Sequence, residues 1–83
     1  MSVREEIEQF VRENFIFGEY ALTPESSFLE DGILDSTSVL ELVSFLEEKF
    51  GIVVKPDEIN LENMDSLARV EAYVRRKQAP AED

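Results

Sequence analysis

Asp35-Ser36 stands where a long loop meets the most regular apolar stretch of the chain, and Ser36 to Phe50 contains no Gly or Pro. The 83 residues include no His and no Cys, which removes the usual general base, the thiolate nucleophile and the commonest metal ligands. Self-sufficient catalysis is therefore not expected. On helix physics alone Asp35-Ser36 reads as an N-cap, and Ser38-x-x-Glu41 offers a second capping box at the same helix start. Because Asp35 or Ser38 suffices as the cap, Ser36 is left to point outward, where the positive end of the helix dipole favours an attached phosphate. The other candidate chemistry fails on spacing. Glu30-Asp31 and Glu47-Glu48 are adjacent pairs, which on a helix point apart rather than across a cleft. A calcium loop around Gly32 would need acids or amides where Ser27 and Leu29 stand and a Glu where Ser38 stands, so it fails at three ligand positions and no metal is expected.

The elements that must position Ser36 follow from hydrophobic period. Val3, Ile7, Phe10, Val11 and Phe15 share one helical face, opened by the capping-box pair Ser2-x-x-Glu5. Gly18 to Asp35 is rich in turn residues, with one short helical turn expected after Pro24, yet Leu22, Phe28, Leu29, Ile33 and Leu34 predict that this loop packs on the core. Val39, Leu42, Val43, Leu46 and Phe50 form the stripe of the next helix, with Gly51 as its C-terminal cap. Ile52-Val53-Val54 has no second strand pattern to pair with and reads as a buried connector. Pro56 to Ile59 predicts a short turn or helix. Met64, Leu67, Val70, Tyr73 and Val74 predict a last helix ending in Arg75-Arg76-Lys77. The expected fold is all-α, a small four-helix bundle of three main helices and one short one with a long loop between the first and second. Residues 1–77 form the domain, and residues 78–83 are an acidic tail expected to fray. The six Phe are assigned to the core, with Phe28 the ambiguous one.

Nineteen acids against eight bases give a net charge of −11. Residues 19 to 65 hold twelve of those acids and only two bases, Lys49 and Lys55. Coulomb repulsion disfavours nucleic acid and anionic membranes, so basic proteins are the expected partners. With no apolar run that would span a bilayer, and a start that does not read as a signal peptide, a cytoplasmic protein is expected. On the helical wheel of Ser36–Phe50, Thr37, Glu41, Ser44 and Glu48 lie opposite the core stripe, while Leu40 and Glu47 share the flank of Ser36.

The run Ser27-Phe28-Leu29-Glu30-Asp31, the Asp35-Ser36 pair, Glu41-Leu42-Val43 and Leu46-Glu47-Glu48-Lys49-Phe50-Gly51-Ile52 together resemble the acyl carrier protein family. Pro56-Asp57-Glu58-Ile59 and the stretch from Met64-Asp65-Ser66-Leu67 to Tyr73-Val74 extend the resemblance over nearly the whole chain. It implies that Ser36, flanked by Asp35, carries a covalent 4′-phosphopantetheine delivered from coenzyme A by a phosphopantetheinyl transferase. The arm supplies the thiol the chain lacks and holds an acyl or aminoacyl thioester, while the chain itself is a monomeric shuttle rather than an enzyme. A loading ligase or acyltransferase and downstream biosynthetic enzymes would dock basic patches on Leu40, Glu41, Glu47 and Glu48. Thr37, Ser38 and Ser44 stand where fatty-acid carriers usually have Leu, an acid and a large apolar residue. Together with Asp31-Gly32-Ile33-Leu34-Asp35-Ser36 they look more like stand-alone aminoacyl carriers of the D-alanyl type. A small cargo is expected to stay outside on the arm, because Phe28, Phe45 and Phe50 fill the space a long chain would need. The rival reading is an unmodified acidic helical adaptor that binds a basic protein.

Overall fold

The Ser2 hydroxyl accepts the Glu5 amide at 3.1 Å and the Glu5 carboxylate accepts the Ser2 amide at 2.9 Å, so the expected capping box opens helix α1, Val3–Phe15. The computed structural model describes residues 2–78. After α1 come α2 (Ser38–Phe50), a 3-10 turn (Pro56–Glu58), α3 (Leu61–Met64) and α4 (Leu67–Gln78), and the described residues contain no strand. This is the expected all-α bundle of three main helices and one short one. The turn or helix expected from Pro56 to Ile59 is the 3-10 turn, whereas Met64, expected to open the last helix, instead ends the additional short helix α3. Asn60 caps α3 by accepting the Asn63 amide at 3.0 Å, and Ser66 caps the start of α4 by accepting the Arg69 amide at 3.2 Å. Two caps in seven residues break what the continuous Met64–Leu67 spacing presents as one helix.

Helices α1 and α2 run antiparallel. Phe10 stacks on Phe45 with ring centroids 4.1 Å apart, and Lys49 near the end of α2 pairs at 2.9 Å with Glu6 near the start of α1. Both rest on α4, whose Val70, Tyr73 and Val74 are fully buried beside Ile7, Leu42 and Leu46. The long loop packs as its composition predicts. Leu22, Phe28, Ile33 and Leu34 are buried, whereas Leu29 turns outward with 54% of its surface exposed. After Pro24 there is a turn closed by the Ser26 amide on the Thr23 carbonyl (3.1 Å) rather than a helix. The connector after α2 is buried at Ile52 and Val54 but exposes Val53, in keeping with alternating directions along extended chain. Phe17, assigned to the core by composition, is 86% exposed beyond the end of α1. Gln78 completes α4, and the remainder of the expected tail, residues 79–83, lies outside the described residues. None of the described helices is long and apolar enough to cross a membrane.

Candidate functional site

One carboxylate organises the start of α2. Asp35 Oδ1 accepts the amides of Ser38 (2.7 Å) and Thr37 (2.9 Å) and the Ser38 hydroxyl (3.0 Å), while the Asp35 carbonyl accepts the Val39 amide (3.0 Å). The Ser38 amide, with its hydroxyl and the Thr37 amide behind it, holds the Asp35 carboxyl below the usual carboxylate range, so Asp35 is a firmly ionised cap. The Ser38 hydroxyl is spent as a donor to Asp35, and the box with Glu41 does not form. Ser36 is exposed and its hydroxyl has no hydrogen-bond partner among the described residues. Of the two capping options the sequence offers, Asp35 is the one used, and Ser36 is free. Because Asp35 already occupies the first amides of the helix, a phosphate on Ser36 would feel the helix dipole without taking those donors.

A groove of about 260 Å³ opens beside that hydroxyl. Ser36 and Val39 form its α2 side, Phe28, Leu29 and Leu34 its loop side, and Leu61 and Met64 its α3 side, with Asp65 at the joint. The lining is mostly apolar. Leu29 and Leu61 stand more than half exposed on the loop and α3 rims, and Leu40, one turn along α2 from Ser36, is 53% exposed. Leu40 is thus a surface side chain rather than one packed under the loop. Of the three Phe expected to fill cargo space, only Phe28 borders the groove; Phe45 and Phe50 lie toward α1 in an aromatic cluster with Phe10.

The acidic edge separates into two kinds of residue. Glu41 and Glu48 are exposed and form no ion pair with described residues, and Thr37 and Ser44 are exposed with them. Glu47 is half-buried and accepts the Val54 amide at 2.9 Å, so it anchors the connector beyond α2 and is not a free surface charge. Among the described residues no group of three or more acidic side chains is placed to hold a metal ion. Leu29, Leu61 and Asp65 border the groove, and the sequence pointed to Leu29 only as a loop residue packed on the core. Asp65-Ser66 ahead of an apolar helix was the available signal for the joint, but nothing in hydropathy distinguishes a rim leucine from a core leucine.

Residues 17–74 match the family described as "Phosphopantetheine attachment site". The chain is similar to an acyl carrier protein of Nitratidesulfovibrio vulgaris, 34% identical over 80 residues that cover 94% of this chain and all of that one. It is also similar to a D-alanyl carrier protein of Abiotrophia defectiva, 38% identical over 50 residues covering 60% of this chain and 63% of that protein. An acyl carrier protein of Helicobacter pylori is 35% identical over 74 residues, 89% of this chain and 92% of that one. Among solved structures, a chain in one titled "Crystal structure of FAD-dependent dehydrogenase" superposes with a TM-score of 0.72 at 26% identity, over 82% of this chain and 97% of that chain.

Proposed function

The chain belongs to the acyl carrier protein family, whose phosphopantetheine-attachment domain it contains, and from that premise we propose that Ser36 is the residue that bears the 4′-phosphopantetheine. The observation that supports this reading is the free, exposed Ser36 hydroxyl between two neighbours, Asp35 and Ser38, that are bonded to each other. When bound, the arm supplies the thiol on which an acyl or aminoacyl group is held as a thioester. The protein's own residues do the rest. Asp35 fixes the first turn of α2 so that Ser36 sits at a defined edge, and the apolar groove beside it offers a place for the arm or its cargo. Glu41 and Glu48 supply an unpaired negative edge beside the exposed Leu40, a surface complementary to a basic patch with an apolar centre. The partners of this reading are a phosphopantetheinyl transferase, a loading ligase or acyltransferase, and downstream biosynthetic enzymes that carry out the chemistry. The structural neighbour's title adds flavin dehydrogenases to the enzyme classes worth screening as partners. The shuttle works as a cytoplasmic monomer.

The test is intact mass after incubation with a phosphopantetheinyl transferase and coenzyme A. One adduct of phosphopantetheine mass is expected on the wild type and none on Ser36→Ala. An adduct that persists in Ser36→Ala, or never forms on the wild type, overturns the assignment and returns the unmodified adaptor.

A further inference from the structure

The groove beside Ser36 has two walls that come from distant parts of the chain. One is the turn of the long loop around Phe28, and the other is α3 with its junction to α4. Asp65 ties them together. Its carboxylate accepts the Ser27 hydroxyl on Oδ2 (2.7 Å) and the Leu29 amide on Oδ1 (3.0 Å), and its carbonyl accepts the Phe28 amide (2.7 Å). Three consecutive loop residues are thus held by one residue across the groove. The loop wall is itself stiff, since the Phe28 carbonyl accepts the amides of Ile33 (2.8 Å) and Leu34 (3.2 Å), and the Ser27 hydroxyl accepts the Glu30 amide (3.1 Å). Behind Asp65 a second tie, the Ala68 amide on the Pro24 carbonyl (2.9 Å), fixes the base of the same loop to α4.

Resting on the reading of Ser36 as the attachment site, we infer that Asp65 is a specificity-determining residue that sets the width of this groove and so restricts the cargo it shelters to short apolar acyl groups. A butyryl group is small against a groove of about 260 Å³. A palmitoyl chain is four times as long and needs depth between the two walls. Fully buried Phe28 stands on the loop wall, so further depth requires that wall to move, and the wall moves only when the Asp65 bonds release. A close-packed interior does not widen gradually without losing contacts.

The experiment loads wild type, Ser27→Ala, Asp65→Asn and Asp65→Ala with butyryl- or palmitoyl-phosphopantetheine from the matching coenzyme A thioesters by a phosphopantetheinyl transferase, with adenosine 3′,5′-bisphosphate as the leaving group. Intact mass is checked first: failure to load at Ser36 counts against the attachment assignment and is read separately. For each variant the melting temperature of the acylated form is compared with that of its own holo form, which cancels any general destabilisation. In the wild type the butyryl group should raise the melting temperature by several degrees and shift the amides of Phe28, Val39 and Met64, with no larger increment from palmitoyl. In Ser27→Ala and Asp65→Ala the palmitoyl increment should overtake the butyryl one, with Asp65→Asn intermediate. If Asp65→Ala does not fold, Ser27→Ala, which removes the bond to Asp65 and the exposed bond from the Glu30 amide but leaves the Phe28 and Leu29 amides on Asp65, decides alone. An unchanged order of increments in Ser27→Ala, or a palmitoyl increment already larger in the wild type, overturns the inference.

Discussion

At the C-terminal end of α2, Gly51 closes the helix in the left-handed region (φ 67°), Glu47 accepts the Val54 amide, and Lys49 pairs with Glu6 beside the Phe10–Phe45–Phe50 cluster. At the N-terminal end, Ser36, Leu40 and Glu41 face solvent around an apolar groove, and only Asp35 is fully engaged. One helix thus ends in a closed anchor and begins in an open edge. Satisfied bonds at one end hold the axis in place, so the other end can leave reactive and apolar groups exposed without losing its geometry.

Substitutions that damage the anchor should act on stability, and substitutions on the edge should act on encounter. Leu46, fully buried in the anchoring half, gives the largest effect: Leu46→Ala should cost roughly 2–5 kcal/mol in urea denaturation, enough to unfold much of a small domain. A wild-type midpoint for that variant would mean the core is placed wrongly. Gly51→Ala should cost about 1–2 kcal/mol, because an added Cβ meets no neighbour there but the left-handed backbone disfavours it. Its rate of phosphopantetheine transfer, measured by timed mass spectra, should stay at the wild-type value.

On the solvent face, reversing Glu41 at the edge together with Glu48, exposed on the same face two turns on, to Lys should slow transfer at low salt by roughly tenfold and leave the helical circular dichroism unchanged, with the difference fading as salt screens the charges. Glu47→Gln sharpens the contrast, since it should loosen Val54 and spare the rate. A rate loss from Glu47→Gln as large as that from the double reversal would erase the distinction between the two ends.

The smallest effect concerns pH. The Lys55 amide, the Tyr73 hydroxyl and the Lys77 ammonium hold Glu58 down from 4.5 to about 2. The folded value is depressed, so this contribution is fully present above pH 4.5 and is lost as the pH falls from there toward 2. Glu58→Gln should lower melting at neutral pH, by less than either anchor variant, and should converge on wild type as the pH falls toward 2, so that its acid limb is shallower. An acid limb identical to wild type would mean that the bonds to Glu58 do not stabilise the fold.

Much of this division was legible in the residues. The capping box of Ser2 and Glu5, the stripe of α2, its Gly51 cap and the packed loop all announce themselves through period and local hydrogen bonding. Asp35-Ser36 was legible as a boundary, although only coordinates tell which of Asp35 and Ser38 caps the helix, because either side chain can accept amides near the helix start. Glu47 and Glu48 look alike in sequence; one finds the Val54 amide because the connector folds back over it, a tertiary event with no local signature. The groove was hidden for the same reason. Its walls are joined by Asp65 and Ser27, 38 positions apart, and apolar periodicity reports burial without reporting where two buried surfaces fail to meet. Phe17 shows the converse, an aromatic whose composition says core and whose position past the end of α1 leaves it in solvent.

The division of α2 is tested most directly by amide chemical shifts recorded before and after transferase converts the isotopically labelled protein from apo to holo form. Shifts are expected at Asp35 to Glu41 and on the groove rims at Leu29 and Leu61, with Phe45 to Val54 unmoved. Shifts centred on the Phe45–Val54 end, or a conversion that leaves Asp35 to Glu41 in place, would contradict it.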